Sequence, residues 1–457
     1  MPKPVDGTPS PKSLIKTLMR VGYDFNMAVG DIVDNSISAD AKNIRIFTTL
    51  EPQNPTFSIY DDGWGMSEKE LYENMKLAAK DPSLERDEND LGRFGSGMKT
   101  ASFSQARKLI VISKKKGSKI CGAYWDIDEI ESSDSWEVLM GLSEKEINSI
   151  DGFDKDMLSE TGTVIIWHKI ISFRETQHTS LENIIANTID SMSKYLSLHF
   201  HKFMQSNDKV SFFVNQRKLS PINPFIKGKG SMDLTPENIR GKKGNVEIKP
   251  HVLPHPQYLS QSQIDKLGGI DAIYKNQGLY IYRANRLIIA GGWMGLSSRN
   301  ILGNLARVEV NIPASLDDEW STDVKKSSLQ LPLMVQRKLK QICQRPIGIS
   351  RGEHTHRGKK EEVNEYWFIN ENKQDNTTKY EVHLKNNELI EIAEKMTQTN
   401  RIKLKEFLRN LSKYLPVHHI FSRIGKSPKS VNQENALEGL PKDLPKDIEE
   451  KLRKLWS

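Results

Sequence analysis

The sequence predicts an α+β fold: a sandwich with helices on one face of a mixed sheet. Three observations predict it. Residues 43–50, "NIRIFTTL", and 56–63, "TFSIYDDG", alternate apolar and polar in the manner of half-buried strands. Residues 24–37 carry an apolar stripe at helical spacing, Val29, Ile32, Val33 and Ile37. Helical and strand-like segments then follow one another without the regular βαβ alternation of a doubly wound sheet.

In chain order, residues 11–37 read as two helices parted near Gly22, followed by the two strands just named and a helix over 67–79. A polar segment, "KDPSLERDENDLGRFGSG", leads into a helix from about Met98. "KLIVISKK", "SKICGAYWDI" and "GTVIIWHKI" read as strands, and a helical run over 180–202 closes a first unit, 1–205. A second unit, 206–345, has strand candidates "KVSFFVNQRKL", "QGLYIYRANRLIIA" and "LARVEVNIP" and a helix over 332–344. "RPIGISRGEHTHRGKK" reads as a linker, 346–361. A small third unit, 362–457, holds strands in "EYWFINEN" and "YEVHLK", helices over 386–398 and 401–414, and a Pro-, Lys- and Glu-rich end.

A chain of 457 residues, 37% hydrophobic and 27% charged, can bury a sizeable core in two or three domains and is not of disordered composition. No stretch approaches the roughly twenty apolar residues of a membrane span, and "MPKPVDGTPSPKS" lacks the apolar core of a secretory signal. Cys121 and Cys343 have no metal-ligand spacing, so a cytoplasmic protein without disulfides is expected. The net charge of +7 is uneven, because residues 401–457 hold about 13 Lys and Arg against about 7 Asp and Glu. Such a tail fits phosphates or an acidic partner, and equally a solvated helix surface.

Four short motifs carry polar chemistry. In "GDIVDNSISA" (30–39), Asp31, Asp34 and Asn35 stand at i, i+3 and i+4 on one helix face, either a solvated face or a site. In "YDDGWGM" (60–66), Asp61 leaves a strand into a loop where Gly63 and Gly65, ahead of Met66, permit positive φ and close approach to a flat ligand; an ordinary tight turn has the same composition. In "GRFGSGMKTAS" (92–102), Gly92, Gly95 and Gly97 open into a helix through Met98, so backbone N–H groups can converge on an anion with Lys99 in the first turn. The Walker pattern is absent. In "ETGTVIIWH", Thr163 begins a strand and offers a hydroxyl to a base, or simply starts the strand.

These four motifs, in this order within about the first 170 residues, resemble the GHKL ATPases, the superfamily of DNA gyrase B subunits, ninety-kilodalton heat-shock chaperones, histidine kinases, MutL and MORC proteins. The resemblance implies an α/β sandwich with ATP between helices and sheet beneath a glycine-rich lid. It implies that Asn35 holds magnesium, that Asp31 is the general base and Asp34 supports it, and that Asp61 reads adenine. Gly63, Gly65, Met66, Met98 and Thr163 would line the nucleotide, and Gly92, Gly95, Gly97 and Lys99 would cap its phosphates. The base is usually glutamate. Aspartate is one methylene shorter, which withdraws the carboxylate by about 1 Å, a misplacement that costs on the order of a hundredfold. Slow turnover is expected.

"FFVNQRKLSPINPF" and "GLYIYRANRLIIAGGW" resemble the transducer region of MORC-like and MutL-like proteins. There a loop inserts a lysine at the terminal phosphate; in "STDVKKSSLQLP" Lys326, with Lys325 second, is the candidate, against a solvated lysine pair of equal weight. Arg283 and Arg286 could face DNA, with a structural role preferred. The implied function is magnesium-dependent hydrolysis of ATP by a clamp that becomes a homodimer on binding ATP, acting on DNA or with protein partners of a repair or phage-defence system. The alternatives are an ATP-binding scaffold with little hydrolysis and a chaperone.

Overall fold

The computed structural model describes residues 8–20, 22–49, 54–77, 97–158, 160–173, 179–241, 244–299, 301–316, 331–355, 366–372, 377–416 and 420. Its N-terminal part comprises α1 (Pro11–Met19), α2 (Phe25–Ser38), β1 (Asn43–Thr48), β2 (Phe57–Asp61), α3 (Glu68–Met75), α4 (Gly97–Gln105), β3 (Ala106–Lys114), β4 (Cys121–Asp126), α5 (Ile127–Ser133), β5 (Leu139–Met140), α6 (Glu144–Asn148), β6 (Gly162–Ile170), α7 (Leu181–His199), α8 (His201–Gln205), β7 (Ser211–Val214) and β8 (Arg217–Lys218). The eight strands form one mixed sheet in the order β5-β4-β3-β6-β2-β1-β7-β8. β1 runs parallel to β7, and the other pairs are antiparallel.

Period-two alternation sorts the sheet's side chains between two cores. Leu109, Val111, Ile165 and Trp167 face the helices, packing with Val29, Ile32 and Val33 of α2, Phe103 of α4 and Leu196 of α7. Ile110, Ile112, Val164 and Ile166 face the other side, which Ile147 of α6 covers. The helical layer is the one the sequence predicts. The short α5 and α6 are not legible beforehand, since five to seven residues are too few to show a helical period.

The "KVSFFVNQRKL" segment departs from expectation. Read with the second unit, it instead forms β7 and β8 and completes the first sheet, with Phe212 beside Ile44 and buried in the first core. Alternation identifies a strand without identifying its neighbour.

The second sheet contains β9 (Met232–Asp233), β10 (Glu237–Arg240), β11 (Asn245–Val252), β12 (Gly278–Arg283), β13 (Arg286–Ala290) and β14 (Ala306–Ile312), with short helices α9 (Gln261–Lys266) and α10 (Ile270–Lys275) between β11 and β12. The long α11 (Leu333–Thr355) packs Leu339, Ile342, Cys343 and Ile347 on this sheet. α11 corrects the linker assigned to 346–361: Pro346 lies inside the helix, which runs on to Thr355. Proline removes one backbone hydrogen bond there. Apolar burial on both sides of it, Cys343 and Ile347, offsets that loss. β15 (Trp367–Asn372) and β16 (Thr377–Val382) form a separate hairpin, with α12 (Asn387–Glu394) and α13 (Gln398–Lys413) following. No described helix is long and apolar enough to cross a membrane.

Candidate functional site

α2 is the backbone of the site. Asp24 caps its N-terminus by accepting from the Met27 N–H at 2.8 Å, and its apolar stripe fixes which way the helix faces. That orientation buries Asp31 and Asp34 and leaves Asn35 exposed. The Tyr23 hydroxyl donates to Asp31 Oδ2 at 2.9 Å. Gly97, the first residue of α4, lies alongside, since a methyl group added there would sit 3.8 Å from the same Asp31 oxygen. The sequence-predicted base and the first described residue of the glycine-rich motif are therefore neighbours.

β2 delivers Asp61 to the same helix. Ser36 Oγ donates to Asp61 Oδ2 at 2.8 Å, while Oδ1 accepts from the Gly63 and Thr163 N–H groups at 3.0 and 3.2 Å. Thr163 is in register with Asp61 across the β2–β6 pair. Burial pushes the Asp61 carboxyl up to about 6, against the downward pull of these three donors. A carboxylate offers about four acceptor positions, so one remains for an amine. Asp62, its neighbour, has a different task. It accepts from the backbone N–H groups of Lys42 and Asn43 at 2.7 and 2.8 Å, and so pins the turn between α2 and β1.

The floor of the site is tightly fitted. Gly65 has φ +65°, and a Cβ there would collide with the carbonyl of Lys114. Gly162, with φ +148°, would strike the Asp61 carbonyl in the same way. The Met66 N–H donates to Ser113 Oγ at 2.8 Å, and that hydroxyl also pairs with Thr163 Oγ1 at 2.9 Å. Ser36, Ser113 and Tyr23 thus contact the candidate residues although no motif in the sequence selects them, because their relevance depends on contacts between elements.

The sequence places Lys99 at the phosphates; in the structure its side chain is buried and Nζ donates to the Asn74 carbonyl at 2.6 Å. That carbonyl belongs to the last turn of α3, and Trp125 Nε1 satisfies the next one, Met75, at 3.0 Å. A cation there meets the negative end of the helix dipole. Met98, beside it, is half-buried against the first core. Gly92, Gly95, Lys325 and Lys326 lie outside the described residues.

Arg286 comes to α2 from the second sheet. Its Nε donates to Asp34 Oδ1 at 3.0 Å, both side chains being buried. Arg286 is thus buried against α2 rather than turned to solvent.

On α2 the exposed Asn35 amide offers a divalent cation a hard oxygen donor. No group of three or more His, Cys, Asp or Glu able to hold a metal occurs among the described residues. This donor set fits magnesium, which takes one or two protein oxygens and completes its octahedron with phosphate oxygens and water.

Residues 23–161, which span α2 through the approach to β6, match the family described as histidine kinase-, DNA gyrase B- and HSP90-like ATPases. This part of the chain is similar to GHKL-type ATPase domains. Similar proteins include the ATPase morc-1 of Caenorhabditis elegans, 31% identical over 91 residues, which are 20% of this chain and 10% of that protein. The chaperone proteins HtpG of Natranaerobius thermophilus and Bacillus velezensis are 32% and 35% identical over 111 and 95 residues. Those two matches cover 22% and 19% of this chain, and 17% and 15% of the chaperones. The chain therefore matches less than a fifth of the length of each of these relatives.

Proposed function

We propose that this protein binds ATP over α2 and hydrolyses it slowly to ADP and phosphate with magnesium, as a nucleotide-gated clamp that dimerises when ATP is bound. The observation that supports the reading best is the convergence on one helix of an exposed amide, Asn35, and a buried carboxylate, Asp31, beside the partly satisfied strand-end carboxylate Asp61.

In this reading Asp61 accepts the exocyclic amine of adenine at its remaining position, and Ser36 and the Thr163 N–H hold it in place. Asp31 orients the attacking water and takes its proton, with Tyr23 fixing the carboxylate's direction. Asn35 would hold the magnesium, which when bound offsets phosphate charge. Gly92, Gly95 and Gly97 supply amides to the phosphates. Lys326, with Lys325 second, reaches the terminal phosphate, so closure is favoured only while that phosphate is present. The unit 206–345 is the transducer. DNA or a DNA-processing or defence complex is the proposed object of the clamp, and the basic residues 401–457 its contact.

Two features favour a second reading, an ATP-binding scaffold with little hydrolysis. Asp31 is shorter than the usual glutamate, and one of its oxygens is engaged by Tyr23. Single-turnover hydrolysis separates the two readings. The wild type should convert bound ATP, and Asp31→Asn should bind ATP but react about 10²–10⁴-fold more slowly. Equal inertness of both would leave only the scaffold. Sedimentation with a non-hydrolysable ATP analogue, with and without duplex DNA, tests the clamp.

A further inference from the structure

Arg286 is the first residue of β13, directly after a two-residue turn in which Ala284 and Asn285 have φ of 45° and 66°. Positive φ at both positions is the signature of a tight hairpin, so the side chain that follows is held firmly in place. Four contacts fix its guanidinium. Nε donates to Asp34 Oδ1 at 3.0 Å, Nη2 to the Tyr195 hydroxyl at 2.9 Å and Nη1 to the Leu287 carbonyl at 2.9 Å. Its Cζ lies 3.9 Å from the centre of the Phe200 ring. α2 makes room for it at Gly30, where a Cβ would come within 2.7 Å of Nη2.

The second sheet is organised around the same row. Arg286 pairs with Arg283 across the hairpin, and Arg283 is in register with Ile312, the last residue of β14. One end of the second sheet thus holds α2 through Arg286 and carries the end of β14 at Ile312.

A buried ion pair contributes little net stability compared with apolar packing of the same volume. Its geometric constraint is another matter. Asp34 lies three residues after Asp31 and one before Asn35, so any rotation of α2 that Asp34 transmits displaces both. We propose that Arg286 is a positioning residue for hydrolysis. Through Asp34 it sets the rotation of α2, and hence the placement of Asp31 and Asn35, according to how the second sheet sits against that helix. This rests on the ATPase reading above.

The test uses the full chain, with circular dichroism to confirm folding and calorimetry to measure ATP-analogue binding. Arg286→Lys keeps the charge but cannot reach Asp34 and Tyr195 together. It should lower kcat roughly tenfold or more while KM changes less than about threefold, the split expected of lost positioning. Arg286→Gln combined with Asp34→Asn should cost no more in kcat than Arg286→Gln alone, because the two act as a unit. A folded Arg286→Lys enzyme with wild-type kcat, or losses that multiply in the double variant, would overturn the proposal. If Arg286→Lys does not fold, Tyr195→Phe decides instead: a lower kcat at unchanged KM supports the proposal, and wild-type kcat overturns it. A wild type that binds and hydrolyses ATP while the variant matches it removes Arg286 alone. A wild type that does neither removes the ATPase reading and this proposal together.

Discussion

The Ser36 hydroxyl, on α2, donates to the Asp61 carboxylate, at the end of β2, across 2.8 Å. This bond ties the helix of the proposed phosphate chemistry to the strand of the proposed base recognition. Asp61 also keeps a carboxyl raised to about 6 by burial, so the site has a pH signature.

Nucleotide affinity should fall as pH drops through about 6, because a protonated Asp61 loses the acceptor that adenine's amine needs. Asp61→Asn should lose affinity above pH 6 by about 1.5–3 kcal/mol, the scale of a hydrogen bond to a charged group, and the deficit should shrink as pH falls below 6. The unliganded protein should respond in the opposite sense. Asp61 ionises near 6 when folded and near 3.8 when unfolded, so the folded state holds more protons between those values. Its stability contribution therefore improves as pH falls from 6 towards 4. Urea titrations should show the gap between wild type and Asp61→Asn shifting in the wild type's favour over that range, and calorimetry should show nucleotide affinity falling. An unchanged affinity between pH 7 and 5 would remove Asp61 from adenine recognition.

His199 and His201 predict an acid weakness of opposite sign. Burial lowers them to about 3 and about 4, with the Arg286 charge adding to the effect on His199. His199 Nδ1 lies 2.7 Å from the Leu287 carbonyl, next to Arg286 on β13. A depressed histidine contributes stability above the unfolded value of 6.5 and loses it as pH falls towards the folded value. His199→Gln should therefore show a shallower loss of urea midpoint between pH 7 and 4.5 than the wild type.

Replacing Gly65 or Gly162 by alanine should cost on the order of 1–3 kcal/mol or more, since each has positive φ and each Cβ would meet a backbone carbonyl. Gly292 offers a control. Its φ is +82° but a Cβ there would meet nothing within 4 Å, so Gly292→Ala should cost only the backbone strain, about 1 kcal/mol. Denaturant melts that rank all three alike would contradict the steric account.

Lys99→Met should lower stability by about 1–3 kcal/mol through the unsatisfied Asn74 carbonyl, while the ratio of ATP to ADP affinity stays within about threefold of wild type. A selective loss of ATP affinity would return Lys99 to the phosphates.

Much of the site was readable before the structure. Spacing alone put Asp31, Asp34 and Asn35 on one face, because the helical repeat is fixed by backbone geometry. The apolar stripe opposite them then decides which way the helix faces. Position at the strand end and a family resemblance single out Asp61 over Asp62, but their different tasks show only when β6 offers Thr163 to one and the turn after α2 offers Lys42 and Asn43 to the other. Lys99 shows a related limit of local reading. A cation in a helix's first turn suits an anion, but Asn74, 25 residues earlier, takes it.

The sequence by itself determined the longer elements and their faces, α2, β1, β2 and β6 among them, since periods of 3.6 and 2 residues are local properties of the chain. The tertiary structure alone decided the partners: β7 beside β1, Lys99 against the end of α3, and Arg286 on Asp34 from 252 residues away. Such pairings depend on which faces meet when the layers pack, and the spacing of residues along the chain carries no record of that.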